Sequence, residues 1–139
     1  ITADRVCLEL TERVLVDDDN NTVEQLAQIK GLGVQIAIDD FGTGYSSLSY
    51  LWRYEFNKLK IDRSFFEAYD FDKARYAKLF ETIVVLGHQL DMTVIVEGVE
   101  KEEQLAFMMQ TDCDFFQGFL LGKPVSRQEA DTLSRVAAA

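Results

Sequence analysis

Short apolar, β-branched runs alternate along the chain with stretches whose apolar residues recur at helical spacing. The first run is Val6-Cys7-Leu8-Glu9-Leu10. A polar turn from Asp17 to Asn21 leads into a helix that ends near Gly31-Leu32-Gly33. Asn21 with Glu24 three residues on reads as a capping box, and the glycines suit a helix stop. Val34 to Asp40 predicts a second strand, followed by a glycine-rich turn and a short helix from about Ser46 to Tyr54. Lys58 to Asp62 predicts a third strand. The long helix from Lys73 to Leu90 sets Tyr76, Phe80, Ile83, Val84 and Gly87 on one face. Met92 to Val99 reads as a fourth strand buried on both faces, Glu102 to Met109 as a helix, and Cys113 to Gly118 as a fifth strand. Ser126 to Val136 forms the last helix, with Ser126 and Glu129 spaced to cap its start. About five βα units in series imply parallel strands joined by right-handed crossovers. An open doubly wound sheet and a segment of a closed barrel both fit, and no repeat or linker marks a second domain.

Composition narrows the chemistry. The 139 residues suffice for one domain, whereas a complete (β/α)₈ barrel needs about 250. No apolar run approaches the roughly 20 residues that span a bilayer, and Ile1-Thr2-Ala3-Asp4-Arg5 lacks the features of a secretory signal. A formal net charge of −10 repels nucleic-acid backbones, so neither DNA nor RNA is expected as a partner. An anionic substrate would need local cations. Cys7 and Cys113, both in predicted strands, read as buried reduced thiols of a cytoplasmic protein. His88, the single histidine, lies within a helical pattern and reads as structural, which leaves oxygen donors as the available metal ligands. Asp17, Asp19 and Asn21 alternate like a calcium loop. Thr22 stands where the sharp-turn glycine belongs and Gln28 where the bidentate acid belongs, so no calcium site is expected there.

Polar residues gather where the predicted strands end: Glu9 on the first, Asp39 and Asp40 on the second, Lys60 on the third, Glu97 on the fourth and Gln117 on the fifth. In parallel α/β architectures these ends share one face, where active sites collect. Glu9, flanked by apolar residues on a strand expected to be buried, needs a cation or donors. Adjacent Asp39 and Asp40 repel unless something cationic intervenes, and hard oxygen donors favour Mg²⁺ or Mn²⁺. Lys60 needs an anion beside it. Ion pairing, turn capping and a snorkelling lysine are the structural alternatives for these residues. Glu100 at a helix start and Gln117 before Gly118 are supporting candidates. The Gly42-Thr43-Gly44 turn offers backbone donors to a phosphate, or is simply a flexible turn.

LELTER (Leu8 to Arg13), IDDFGTGYSSL (Ile38 to Leu48), LKIDRSF (Leu59 to Phe65), VEGVEKEEQ (Val96 to Gln104) and CDFFQG (Cys113 to Gly118) together resemble the EAL-type cyclic-di-GMP phosphodiesterases of bacteria. The segments occur in family order across nearly the whole chain. The resemblance implies an α/β fold, a (β/α)₈ TIM-barrel-like domain of which residues 1–139 supply the C-terminal part, about five βα units. It implies hydrolysis of cyclic di-GMP to linear pGpG. Glu9, Asp39 and Asp40 would bind two Mg²⁺ or Mn²⁺ ions. Lys60 would orient or stabilise the attacking water, and Glu97 would bind metal through water or act as base. Glu12 would hold the loop after Asp40, while Glu100 and Gln117 support the site or bind substrate. The family's Glu-Ala-Leu segment and a later asparagine ligand belong upstream of Ile1, so activity is expected of the complete domain and this piece alone should bind metal poorly. Val96 replaces a usual alanine, Phe119 a usual tyrosine, and Gly122-Lys123 a usual serine–arginine. A homodimer, fusion to GGDEF or sensory domains, and a membrane anchor upstream in a longer parent are all compatible with the resemblance.

Two rival functions remain open from sequence. A degenerate barrel would bind cyclic di-GMP without cutting it, but degeneration should cost ligands, and the acids and Lys60 are intact. A phosphoacceptor receiver domain also pairs adjacent acids with a later lysine. It would want a lone phosphorylatable aspartate on an intermediate strand, whereas Lys60 lies on the very next one.

Overall fold

A computed structural model describes residues 1–12, 14, 20–43, 48–66 and 72–137. Strands β1 (Cys7–Thr11), β2 (Gln35–Phe41), β3 (Lys58–Ile61), β4 (Thr93–Val96) and β5 (Phe115–Phe116) form one parallel sheet in that order. Helices α1 (Asn20–Gly31), α2 (Leu48–Arg53), α3 (Lys73–Gln89) and α4 (Glu102–Met108) connect successive strands, and α5 (Arg127–Ala137) follows β5. The sequential order separates the two architectures left open above. A doubly wound sheet reverses its order at a switch point, whereas right-handed crossovers repeated in one direction put every helix on the same face, as in a barrel wall.

Register explains which strand residues are buried. Ile38, Leu59 and Val94 are lateral partners and are each 0% exposed. They point towards the helices: a methyl group on Gly87 of α3 would stand 2.5 Å from Val94 Cγ2 and 3.8 Å from Leu59 Cδ2. The expected face of α3 is the buried one, Tyr76, Phe80, Ile83, Val84 and Gly87. The rings of Tyr76 and Phe80 continue into Phe107 of α4 and Phe65 beyond β3, with centroids 5.6–5.8 Å apart for Tyr76–Phe107, Phe80–Phe107 and Phe65–Tyr76. Ser126 and Glu129 cap α5 as expected, the Ser126 N–H and hydroxyl donating to Glu129 Oε2 at 2.9 and 2.8 Å. His88 is structural: its Nε2 lies 2.9 Å from Asp114 Oδ2, which also accepts the Val94 N–H at 2.7 Å.

The opposite face of the sheet differs from expectation. β4 is buried only at alternate residues, Val94 and Val96, while Thr93 and Ile95 are half-buried and Phe115 on β5 is exposed. No described helix covers that face, so an apolar run that read as doubly buried is covered once. β1 is likewise an edge strand, and the Glu9 side chain is 49% exposed. The cysteines are free and half-buried rather than buried. Cys113 precedes β5, its thiol 3.4 Å from both the Val94 and Phe115 carbonyls, and burial pushes the thiol up to about 11. α1 is described from Asn20, which puts Asn21 inside its first described turn. The Asn21 side chain and the acidic turn with Asp17 and Asp19 lie outside the described residues. Among the described residues no helix is long and apolar enough to cross a membrane.

Candidate functional site

Parallel register carries distant residues to one place. Glu9 (β1), Asp39 (β2) and Lys60 (β3) share the sheet face opposite the helices, and Glu97 follows directly on β4. The Lys60 ammonium lies 2.7 Å from Glu9 Oε2, 2.8 Å from Glu97 Oε1 and 3.1 Å from Asp39 Oδ1. Its side chain is 8% exposed. Burial disfavours the ammonium, but hydrogen bonds from Lys60 to Glu9, Glu97 and Asp39 outweigh that and hold it well above the ordinary lysine range. Three carboxylates, distant along the chain, thus enclose one buried cation.

Asp40 does not simply alternate to the other face. Its φ of +56° is left-handed, a conformation aspartate tolerates better than most residues, and the β2–β3 register shifts between Ile38 and Phe41. The Asp40 N–H donates to Asp39 Oδ1 at 3.1 Å, and its carbonyl accepts from the Thr43 N–H and hydroxyl at 3.2 and 2.9 Å. Burial, then the charges of Asp39 and Asp62, raise the Asp40 carboxyl above its usual range, with Lys60 opposing and Glu12 adding.

Glu12 stands behind this turn and is 3% exposed. Its Oε1 accepts the Tyr50 hydroxyl at 2.6 Å and approaches the Gly42 N–H at 3.5 Å, which places Glu12 between α2 and the loop after Asp40. Gly42, at φ +94°, lies so close to Phe65 that a methyl group would come within 2.5 Å of the ring. Gly44, the second glycine of the turn read either as a phosphate cradle or as a flexible turn, lies outside the described residues.

Asp62 was missed from sequence. It sits just past β3, two residues beyond Lys60, close enough for its charge to raise Asp40. Burial would raise the Asp62 carboxyl too, but hydrogen bonds from Ser64, whose N–H lies 2.9 Å away, and from the Arg63 backbone hold it below the usual range. The available signal was its spacing: Lys60 and Asp62 alternate, as one face of a strand end requires.

Beyond Glu97 the chain passes close to its neighbours. A methyl group on Gly98, at φ +72°, would fall on Arg63 Cβ, and one on Gly118 would fall on the backbone of Val99. Gln104, 8% exposed, accepts the Glu100 and Lys101 N–H groups at 2.8 and 2.9 Å and so fixes the Glu100 segment. The Gln117 backbone is paired, its N–H to Val96 at 2.7 Å and its carbonyl to the Val99 N–H at 3.1 Å. Glu100 and Gln117 do not join the lysine cluster. They line an adjoining cavity of about 500 Å³ together with Asp62, Glu97, Phe119 and Lys123.

Among the described residues no three acids, histidines or cysteines stand together as a ready-made metal site, and Lys60 lies between Glu9, Asp39 and Glu97. The donor chemistry nonetheless suits a hard divalent cation. The available groups are carboxylate oxygens, and such a cation relieves the repulsion that Asp39 and Asp62 add to burial in raising Asp40.

Similarities to known proteins agree with this geometry. The bifunctional diguanylate cyclase/cyclic di-GMP phosphodiesterase MucR of Pseudomonas aeruginosa is 44% identical over 124 residues, covering 88% of this chain and 18% of MucR. A solved MucR phosphodiesterase in complex with c-di-GMP superposes with a TM-score of 0.84 at 40% identity, covering 94% of this chain and 52% of that one. A manganese and c-di-GMP complex of BlrP1 from Klebsiella pneumoniae gives a TM-score of 0.77 at 31% identity, covering 86% of this chain and 30% of that one. The chain therefore spans about half of the solved MucR phosphodiesterase and less than a fifth of full MucR. A model of the EAL domain family matches residues 1–124, and with five barrel-like βα units in sequential order this chain belongs to the EAL domain family.

Proposed function

We propose that residues 1–139 form the C-terminal part of a single EAL domain that hydrolyses cyclic di-GMP to linear pGpG with a divalent metal. The observation that carries this is the enclosure of Lys60 by Glu9, Asp39 and Glu97 at 2.7–3.1 Å, with Asp40 and Asp62 alongside. The activity named for MucR and the manganese in the BlrP1 complex support it. Mg²⁺ or Mn²⁺ held by Glu9, Asp39 and Asp40 would supply Lewis-acid polarisation of the phosphodiester and of water. The chain's own residues do the rest. The Glu97 carboxylate accepts a proton from the attacking water as its oxygen joins phosphorus, and the 3′ oxygen departs with the bonding pair and takes up a proton from solvent. The Lys60 ammonium balances negative charge gathering on the phosphoryl oxygens. Glu12 keeps the Asp40 turn in place, and Glu100 and Gln117 orient substrate from the adjoining cavity. The bifunctional name of MucR supports a longer parent protein that also carries a cyclase domain. A homodimer and a cytoplasmic setting accompany the same reading.

Product analysis of the parent protein with Mg²⁺ tests the proposal. Wild type should yield pGpG, and Asp39→Asn should lose at least about 100-fold in rate. Near-normal turnover in that variant refutes the site assignment, and binding without cleavage by wild type makes the domain a receptor.

A further inference from the structure

Lys60 has more to do than meet a substrate. Buried ammonium groups persist only when anions compensate them, and here three carboxylates do so. Two of those three, Glu9 and Asp39, are the residues assigned to the metal above. Asp40 and Asp62 crowd the same spot, and neither forms an ion pair with Lys60 among the described residues. We propose that Lys60 is a resident counter-cation that the acid cluster exchanges for a divalent ion, so that metal loading and withdrawal of the lysine from Glu9 and Asp39 are one coupled step. This rests on the reading of these acids as a divalent-cation site.

The physical case has two parts. Without an ion, four acids and Asp62 at the strand ends would repel one another, and the ammonium keeps the metal-free sheet end together. With an ion present, the same ammonium is a like charge a few ångströms away and a competitor for the same oxygens. Lys60 therefore stabilises the empty site and weakens its affinity for metal. A group whose sole task was to meet substrate would do neither.

Mn²⁺ binding to the parent protein, which carries the whole domain, followed by electron paramagnetic resonance of the free ion, reads this without substrate. Lys60→Met should bind Mn²⁺ at least about tenfold more tightly than wild type, and Lys60→Arg, which keeps the charge, should stay within about threefold of wild type. Metal-free Lys60→Met should melt below wild type and gain more from added Mn²⁺. Equal or weaker Mn²⁺ binding by Lys60→Met overturns the proposal, as does failure of every form to bind Mn²⁺ at millimolar concentration. Should Lys60→Met not fold, acylation of the wild-type Lys60 amine decides: it should quicken when Mg²⁺ is added, and unchanged protection overturns the exchange. A parent protein that makes the exchange yet leaves cyclic di-GMP uncut upholds this inference and sinks only the phosphodiesterase reading.

Discussion

Tyr50→Phe isolates the bond that ties α2 to the turn beyond Asp40. The hydroxyl donates to Glu12 Oε1 at 2.6 Å, and the two residues are 4% and 3% exposed. Phenylalanine keeps the ring and its packing, so one oxygen is removed and no cavity of consequence opens. A hydrogen bond to a carboxylate contributes ~1.5–3 kcal/mol, and the substitution removes this one. The Gly42 N–H approaches the same oxygen only to 3.5 Å. Urea unfolding of the full chain should therefore show a loss of about 2 kcal/mol, and a double-mutant cycle with Glu12→Gln should give a coupling of at least ~1 kcal/mol. In the parent protein the same variant should lower kcat with KM nearly unchanged, because the turn carrying Asp40 loses its support while the substrate cavity does not. A stability change under ~0.5 kcal/mol, or strict additivity in the cycle, would refute the reasoning.

Gly118→Ala should cost about 1–3 kcal/mol, because the new methyl group meets Val99 backbone atoms that cannot swing aside; Gly122→Ala, with nothing within 4 Å, should lie within ~0.5 kcal/mol of wild type in the same urea titration. Asp40→Asn should stabilise the metal-free chain at neutral pH. The folded-state value of Asp40 is raised, so the folded state holds this proton more tightly, and stability falls as pH climbs from the unfolded value near ~3.9 through the folded one. Melting curves across that interval should show the decline in wild type and a shallower one in the variant, and parallel curves would count against the crowding of Asp40.

The fold was legible where burial follows from local pattern. The α3 stripe from Tyr76 to Gly87 and the Ser126–Glu129 cap can be read from spacing alone, since each depends on residues within a few turns of one another. What periodicity could not supply was strand order, because open and closed sheets place identical demands on each strand. It also misjudged β4 and Cys113, whose exposure depends on what lies across the sheet. In the site, Glu9, Asp39, Lys60 and Glu97 were found because charges in apolar strands need partners, and Glu12 was matched to its loop through the family resemblance. Asp62 escaped although the predicted third strand ended on it, because attention fell on the charge inside the strand, Lys60. The left-handed backbone of Asp40 has no signature in a side-chain pattern, since aspartate also occupies the usual regions.

The close approaches at Gly42, Gly98 and Gly118 have a consequence for anyone rebuilding this scaffold. Barrel enzymes invite engineers to treat each connecting loop as an independent cassette. Here the segment after β2 nests against Phe65, the one after β4 against Arg63, and the one after β5 against Val99, so each cassette is keyed to its neighbour. A transplanted loop that brings a bulkier residue to any of these positions would jam the adjacent one. Successful grafts into this end of the domain should move as contiguous pairs, or retain the three glycines as fixed points.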